Sequence, residues 1–181
     1  KVAAEQRGTS PARYYCNIAE RFERGVPYTT LAENVAKLFR DPRFAGSTLG
    51  IDGTGVGRPV VDIIRKARPN CRVVPVTITG GLGQVLNAAT VDEWGYWRVP
   101  KKELVGSVQA LLGTGRLEIA SGLKHAAALI GELKSFSWKI SSGTAHVSLE
   151  AWRDRDHDDL VLALALAAWA GERCRQELWV R

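Results

Sequence analysis

Three features of this 181-residue chain predict an α/β fold in which a mixed central β-sheet is flanked by α-helices. Short β-branched segments alternate with stretches of helical apolar spacing, the pattern of parallel strands joined by right-handed crossovers. Two strand-like stretches at the N-terminus, separated by Gly8-Thr9-Ser10-Pro11, predict an antiparallel hairpin. Near the C-terminus a run of charge, Asp154-Arg155-Asp156-His157-Asp158-Asp159, opens into an apolar stretch at residues 160–170. That stretch is too short to span a bilayer, and its Ala/Leu content with Trp169 suits a helix buried in a core.

Residues 1–6 read as the end of a strand already under way, and with no Met in the chain they predict a fragment of a longer protein. The pairing strand is expected over residues 14–22, YYCNIAERF. Residues 26–39 carry Leu31, Val35, Leu38 and Phe39 at helical spacing, with Thr29 or Thr30 as cap and Asp41-Pro42 as the stop. A strand follows at 48–52, then a helix at 56–66 with Val60, Val61, Ile63 and Ile64 as apolar positions, then a β-branched strand at 72–78. Residues 80–96 have no clear periodicity and hold Gly80, Gly81, Gly83 and Gly95, so they read as a loop, either functional or plain surface. Beyond it the pattern predicts a helix at 100–112, a short strand at 116–120 and a helix at 123–136 with Ala126, Leu129, Ile130 and Leu133 inward. A second hairpin, with flanks 138–140 and 145–147 about Ser141-Ser142-Gly143, precedes the charged run and the last helix. No repeat or interdomain linker breaks the chain, so residues 1–181 are expected to form a single domain.

With 45% hydrophobic and 24% charged residues, the composition is that of a soluble globular protein. Three scattered cysteines, Cys16, Cys71 and Cys174, lack CxxC or Cys/His spacing, which argues against a disulfide framework or a zinc site and fits a reducing cytoplasm. The net charge of +6 points to a polyanionic partner more than to an acidic metabolite. Arg98, Lys101, Lys102, Arg116, Lys124, Lys134, Lys139, Arg153 and Arg155 lie in the C-terminal half, where they could line a groove for phosphates or simply face solvent.

Chemistry is concentrated at two places. Asp52 ends the apolar segment 49–51, and the turn Gly53-Thr54-Gly55-Val56-Gly57 follows it before a helix begins. Asp158 and Asp159 stand side by side at a helix start, where their mutual repulsion is offset by helix N–H groups or by a divalent cation. Plain capping explains such a pair, whereas a second carboxylate at a strand end allows convergence on metal ions. The glycine turn has GxGxG rather than GxGxxG spacing, and the next strand ends in Thr77-Ile78-Thr79 without an acid for a ribose, which argues against a dinucleotide site. No GxxxxGK[ST] loop, Gly-x-Ser-x-Gly elbow or activated cysteine is present, which leaves metal-assisted chemistry as the leading enzymatic option. His157 reads as a proton carrier, a metal neighbour or neither, and Glu20 either adds a carboxylate to the same sheet edge or faces outward.

The strings IDGTGVGRPVVDII, VPKKELVGSVQALLGTGRLEIA and RDRDHDDLVLALALAAW resemble, in order and over nearly the whole chain, the nuclease domain of the large terminase subunit of tailed bacteriophages. The resemblance implies an RNase H-like (RuvC-like) fold and a metal-dependent endonuclease that cuts concatemeric double-stranded viral DNA during genome packaging. It implies two Mg²⁺ or Mn²⁺ ions, with Asp52 as strand-end ligand and Asp158 and Asp159 as helix-start ligands. Lys101 and Lys102 match the family's VPK motif and are expected at phosphates, with Arg58, Arg153 and Arg155 as further DNA contacts. The implied partners are double-stranded DNA, a terminase ATPase domain that this chain does not contain, the portal protein and the small terminase subunit, with no membrane, in the bacterial cytoplasm. The family carries one more aspartate, on a strand before the segment matching VAAEQ; this chain starts after that point, which predicts weak metal binding and impaired cutting. Competing readings are a Holliday-junction resolvase of the same fold, a non-catalytic DNA-binding or motor-docking module, and a nucleotide-binding domain.

Overall fold

The structure, a computed structural model, describes residues 11–79, 89–141 and 159–178, with backbone alone for 135–141 and 174–178. It divides into two compact units, one drawing on Lys1–Arg21 and Val105–Ala168, the other on Phe22–Leu104 and Trp169–Arg181.

The second unit is organised around a four-stranded sheet in the order β2-β3-β5-β4, where β2 is Thr48–Asp52, β3 Arg72–Thr79, β4 Thr90–Val91 and β5 Trp97–Pro100. β2, β3 and β5 run parallel, and β4 is antiparallel to β5. The central strand β3 buries Val74, Pro75, Val76 and Ile78, the near-continuous apolar run expected of a parallel strand covered on both faces. Helix α2, Gly57–Lys66, connects β2 to β3 and buries Val61 and Ile64, three residues apart on one face, whereas Val60 and Ile63 are half-buried.

Helix α1, Tyr28–Phe39, packs against α2 and buries Ala32, Ala36 and Phe39. The expected stripe is thus rotated by one position: Leu31 and Val35 are half-buried and Leu38 is exposed. Neither Thr29 nor Thr30 caps this helix; Pro27 holds the N-cap position, and its carbonyl accepts the Leu31 N–H at 3.0 Å. The stop is as expected, because the Asp41 side chain accepts the Arg43 N–H at 2.9 Å and starts a 3-10 turn over Pro42–Phe44.

The region read as a loop over residues 80–96 contains part of a hairpin. β4 and β5 are joined by a turn in which Asp92 Oδ1 accepts from the N–H groups of Trp94 (3.0 Å) and Tyr96 (2.8 Å), and Gly95 takes a φ of 75°. Residues 80–88 lie outside the described residues.

In the first unit β1, Tyr14–Cys16, pairs in parallel with β6, Leu117–Ile119. The strand expected over 14–22 therefore stops after three residues, and the chain from Asn17 to Phe22 leaves the sheet with most of its side chains exposed. Its expected antiparallel partner, residues 1–6, lies outside the described residues, so the described pairing is the parallel one. Helix α3, Lys101–Gly113, starts directly after β5 and reaches β6 through Gly115 at φ 64°. Helix α4, Ala126–Ser141, runs through residues 138–140, where a strand was expected, because no Gly or Pro interrupts its last ten residues. The other flank of that hairpin, 145–147, lies outside the described residues. Helix α5, Asp159–Leu178, extends past the expected end at 170 and buries Leu160, Val161, Leu164, Ala165 and Ala168.

Candidate metal centre

Asp52 is the last residue of β2, and three local contacts hold its surroundings. Its Oδ1 accepts the Thr54 N–H at 2.9 Å, the Gly53 N–H reaches across to the Val76 carbonyl at 2.7 Å, and the Ile78 N–H donates to Thr54 Oγ1 at 2.9 Å. The turn is thereby tied to β3 on both sides of the carboxylate. Two of its glycines are required by space: a Cβ on Gly57 would stand 2.4 Å from the Asp52 carbonyl oxygen, and one on Gly53 would stand 2.9 Å from the Tyr96 ring. Asp52 Oδ2 receives no hydrogen bond from a described residue, so a half-buried carboxylate keeps one oxygen open.

The register fixes what shares this sheet edge. Asp52 is level with Val76 and, through it, with Trp97, while β3 and β5 run on to Thr79 and Pro100. Lys101 and Lys102 therefore begin α3 two strands from Asp52 and on the order of 10 Å further along the strand direction. Lys102 is exposed and Lys101 half-buried. Two cations in a first helical turn oppose the helix dipole, each at a cost of roughly 0.3–1 kcal/mol, so helix stability does not account for them.

Arg58 lies on α2 beside the same turn. Its guanidinium stands 5.0 Å from the centre of the Tyr96 ring and 3.6 Å from Asp92 Oδ2, and Arg65 covers the same ring at 5.5 Å. Tyr96 is buried between these two guanidinium groups and Gly53. Nothing in the sequence marks Tyr96 or the Asp92–Arg58 ion pair, since the partners come from the distant segment of Gly53, Arg58 and Arg65.

The first unit carries the other candidate. Asp159 is the exposed first residue of α5. The helix N–H groups expected to relieve the acidic pair are taken by another residue: Leu160 N (3.0 Å) and Val161 N (2.9 Å) both donate to Oε2 of Glu132 on α4. Glu132 Oε1 is ion-paired with Arg21. Sequence reasoning missed Glu132, whose partners are 28, 29 and 111 residues away.

Asp158, Arg153, Arg155 and His157 lie outside the described residues. Glu20 lies beyond the end of β1 and is exposed, so it is not a strand residue. Asp52 and Asp159 belong to different compact units, and among the described residues no group of three His, Cys, Asp or Glu could hold a metal ion.

The described residues hold a mixed four-stranded sheet, a two-stranded parallel sheet and five helices, which agrees with an RNase H-like domain. Residues 11–170 match the family model described as the terminase RNaseH-like domain, and the chain belongs to that family. Membership carries a nuclease role in DNA packaging, and RNase H-like nucleases generally use divalent metals. Searches of curated proteins and of solved structures found no significant match. No helix among the described residues is long and apolar enough to cross a membrane.

Proposed function

We propose that this domain is a Mg²⁺- or Mn²⁺-dependent endonuclease that cuts double-stranded viral DNA during genome packaging. The observation that carries this reading is Asp52: a carboxylate at the C-terminal end of a parallel strand, with one oxygen fixed by the Thr54 N–H and the other open. Carboxylate oxygens are the donors that hard divalent cations prefer, so the residue type fits the ion. Asp52, Asp158 and Asp159 would hold the ions. Bound there, the ions supply Lewis-acid activation of water and neutralise charge at the scissile phosphate.

The protein's own groups bind and orient the substrate. Lys101 and Lys102, set at a helix N-terminus whose N–H groups also favour anions, engage backbone phosphates near the cut. Arg58 adds a guanidinium whose tilt is set by Tyr96 and Asp92. Such contacts give affinity and register with little base preference. Arg153 and Arg155 would add further phosphate contacts.

The test is Mn²⁺ binding measured calorimetrically alongside Mn²⁺-dependent cleavage of linear duplex. Asp52→Asn should lose the binding heat and the cleavage while DNA binding persists. Weak Mn²⁺ heat and slow cleavage that are both lost in Asp52→Asn also fit the reading; DNA binding with no Mn²⁺ heat at all in the unaltered chain would favour a non-catalytic module, and selective cutting of four-way junctions would favour a resolvase.

A further inference from the structure

We infer that the turn between β4 and β5 is a DNA contact of a second kind, in which Trp94 stacks on a base opened from the duplex beside Asp52. The inference rests on the DNA-binding part of the reading above and names the form of DNA bound. Trp94 is 68% exposed, although the turn that carries it is tightly built. Asp92 Oδ1 accepts the N–H groups of Trp94 and Tyr96 at 3.0 and 2.8 Å. The Asp92 carbonyl accepts the Gly95 N–H at 3.0 Å, and the Asp92 N–H donates to the Tyr96 carbonyl at 2.9 Å. The indole is thus held out on a fixed backbone, and core packing does not account for it. A rigid ring loses little freedom on binding, which is why Trp is favoured at binding hot spots.

The turn is also fixed to the candidate site. Tyr96 lies against Gly53, the residue after Asp52, and Arg58 stands 5.0 Å from the Tyr96 ring centre and 3.6 Å from Asp92 Oδ2. Trp94 is two residues from Tyr96, at most about 7 Å of backbone. Val56, at the N-cap of α2 and 79% exposed, stands two residues before Arg58. Two exposed apolar side chains therefore flank one guanidinium near Asp52.

Charge decides the occupant. Arg58, Arg65, Arg98 and Lys102 are exposed in the same unit of a chain whose net charge is +6, which suits a polyanion. The tip itself does not suit a phosphate, because it carries Asp92 and an exposed Glu93. On DNA the apolar counterpart of an indole is the face of a base, and in an intact duplex stacking closes those faces. Trp94 therefore takes a base at an opened step, as apolar side chains do when they enter a kinked duplex, while Arg58 takes an adjoining phosphate.

Fluorescence anisotropy in EDTA, over a series of salt concentrations, compares a fully paired labelled duplex with one that holds a short run of mismatches. The unaltered chain should bind the mismatched duplex more tightly. Trp94→Ala should weaken that binding by about 5- to 100-fold and bring the two affinities together, with the slope of log affinity against log salt unchanged. Trp94→Phe keeps a stacking ring and should retain most of the preference, and thermal unfolding of both variants should match the unaltered chain. Arg58→Ala should instead shrink the salt slope by about 1. An unaltered chain without the preference, or Trp94→Ala with the preference intact, overturns the inference and leaves the exposed ring to a protein partner. Mn²⁺ calorimetry and cleavage separate the two levels. A chain that binds no Mn²⁺ and never cuts, yet loses the mismatch preference in Trp94→Ala, keeps the stacking contact and loses the nuclease reading. A chain that cuts, and whose Trp94→Ala variant cuts with the same KM and the same preference, loses the inference alone.

Discussion

Gly57 and the main chain of Asp52 stand closer than any side chain permits: a Cβ at position 57 would lie 2.4 Å from the Asp52 carbonyl oxygen and 3.2 Å from its carbonyl carbon. The first residue of α2 is thus wedged under the end of β2, and the carboxylate cannot move without the turn. Gly57→Ala must push backbone rather than a flexible tip, at a cost of about 1–3 kcal/mol. It should also weaken Mn²⁺ binding. Gly55, with φ 60° and open space at its Cβ, provides the comparison. Gly55→Ala should lower stability through backbone strain and leave Mn²⁺ affinity intact, as urea unfolding and calorimetry on both variants would report.

How far this site could be read from the chain depends on the range of each contact. Strand β2, the glycine turn and helix α2 follow from neighbouring residues, an apolar run into Asp52 and then Val61 and Ile64 at helical spacing, and each lies within one position of its expected bounds. β5 is not legible, because Trp97–Pro100 is four residues long, ends in proline and is a strand through its pairing with β3 and β4. The strand expected over 14–22 is shorter in the structure for the converse reason. Its alternating apolar residues continue to Phe22, but Ile18 and Phe22 are exposed and the pairing with β6 ends at Cys16. Asp159 was legible as a helix start, yet the group that caps that helix was not, since nothing around Glu132 distinguishes it from an outward-facing helical carboxylate.

Lys102 is exposed at the first turn of α3, where it weakens the helix if it weakens anything. Lys102→Ala should therefore leave thermal stability level or slightly raised while DNA affinity falls. The slope of log affinity against log salt should shrink by about 1, the signature of one lost phosphate contact. Lys37→Ala, on the last turn of α1, serves as a control and should leave the slope unchanged.

Trp169 donates its Nε1–H to Glu103 Oε1 at 2.7 Å and meets Trp97 edge-on at 5.6 Å, with Arg173 over the other ring at 4.7 Å. These contacts join α5 to β5 and to the turn of α3 that carries the lysines. Trp169→Phe keeps the ring contact but strips a donor from a carboxylate, with an expected loss of about 1–3 kcal/mol in urea unfolding. Glu103→Gln, which retains an acceptor, should cost less.

Burial raises the Cys16 thiol above its usual 9.0. The folded chain then keeps its proton to a higher pH than the unfolded chain does, so the contribution to stability is complete below 9.0 and is lost as pH rises toward the folded value. Stability should decline above about pH 9, and Cys16→Ala should decline less steeply over that range. Chemical unfolding at a series of alkaline pH values checks the sign directly.

The claim on which the rest depends is that Asp52 holds a divalent cation. Diffraction from crystals soaked in Mn²⁺, recorded at the manganese absorption edge, tests it most directly. Anomalous density within coordination distance of Asp52, lost in Asp52→Asn, is the predicted result; anomalous density only at sites away from Asp52 would contradict the account.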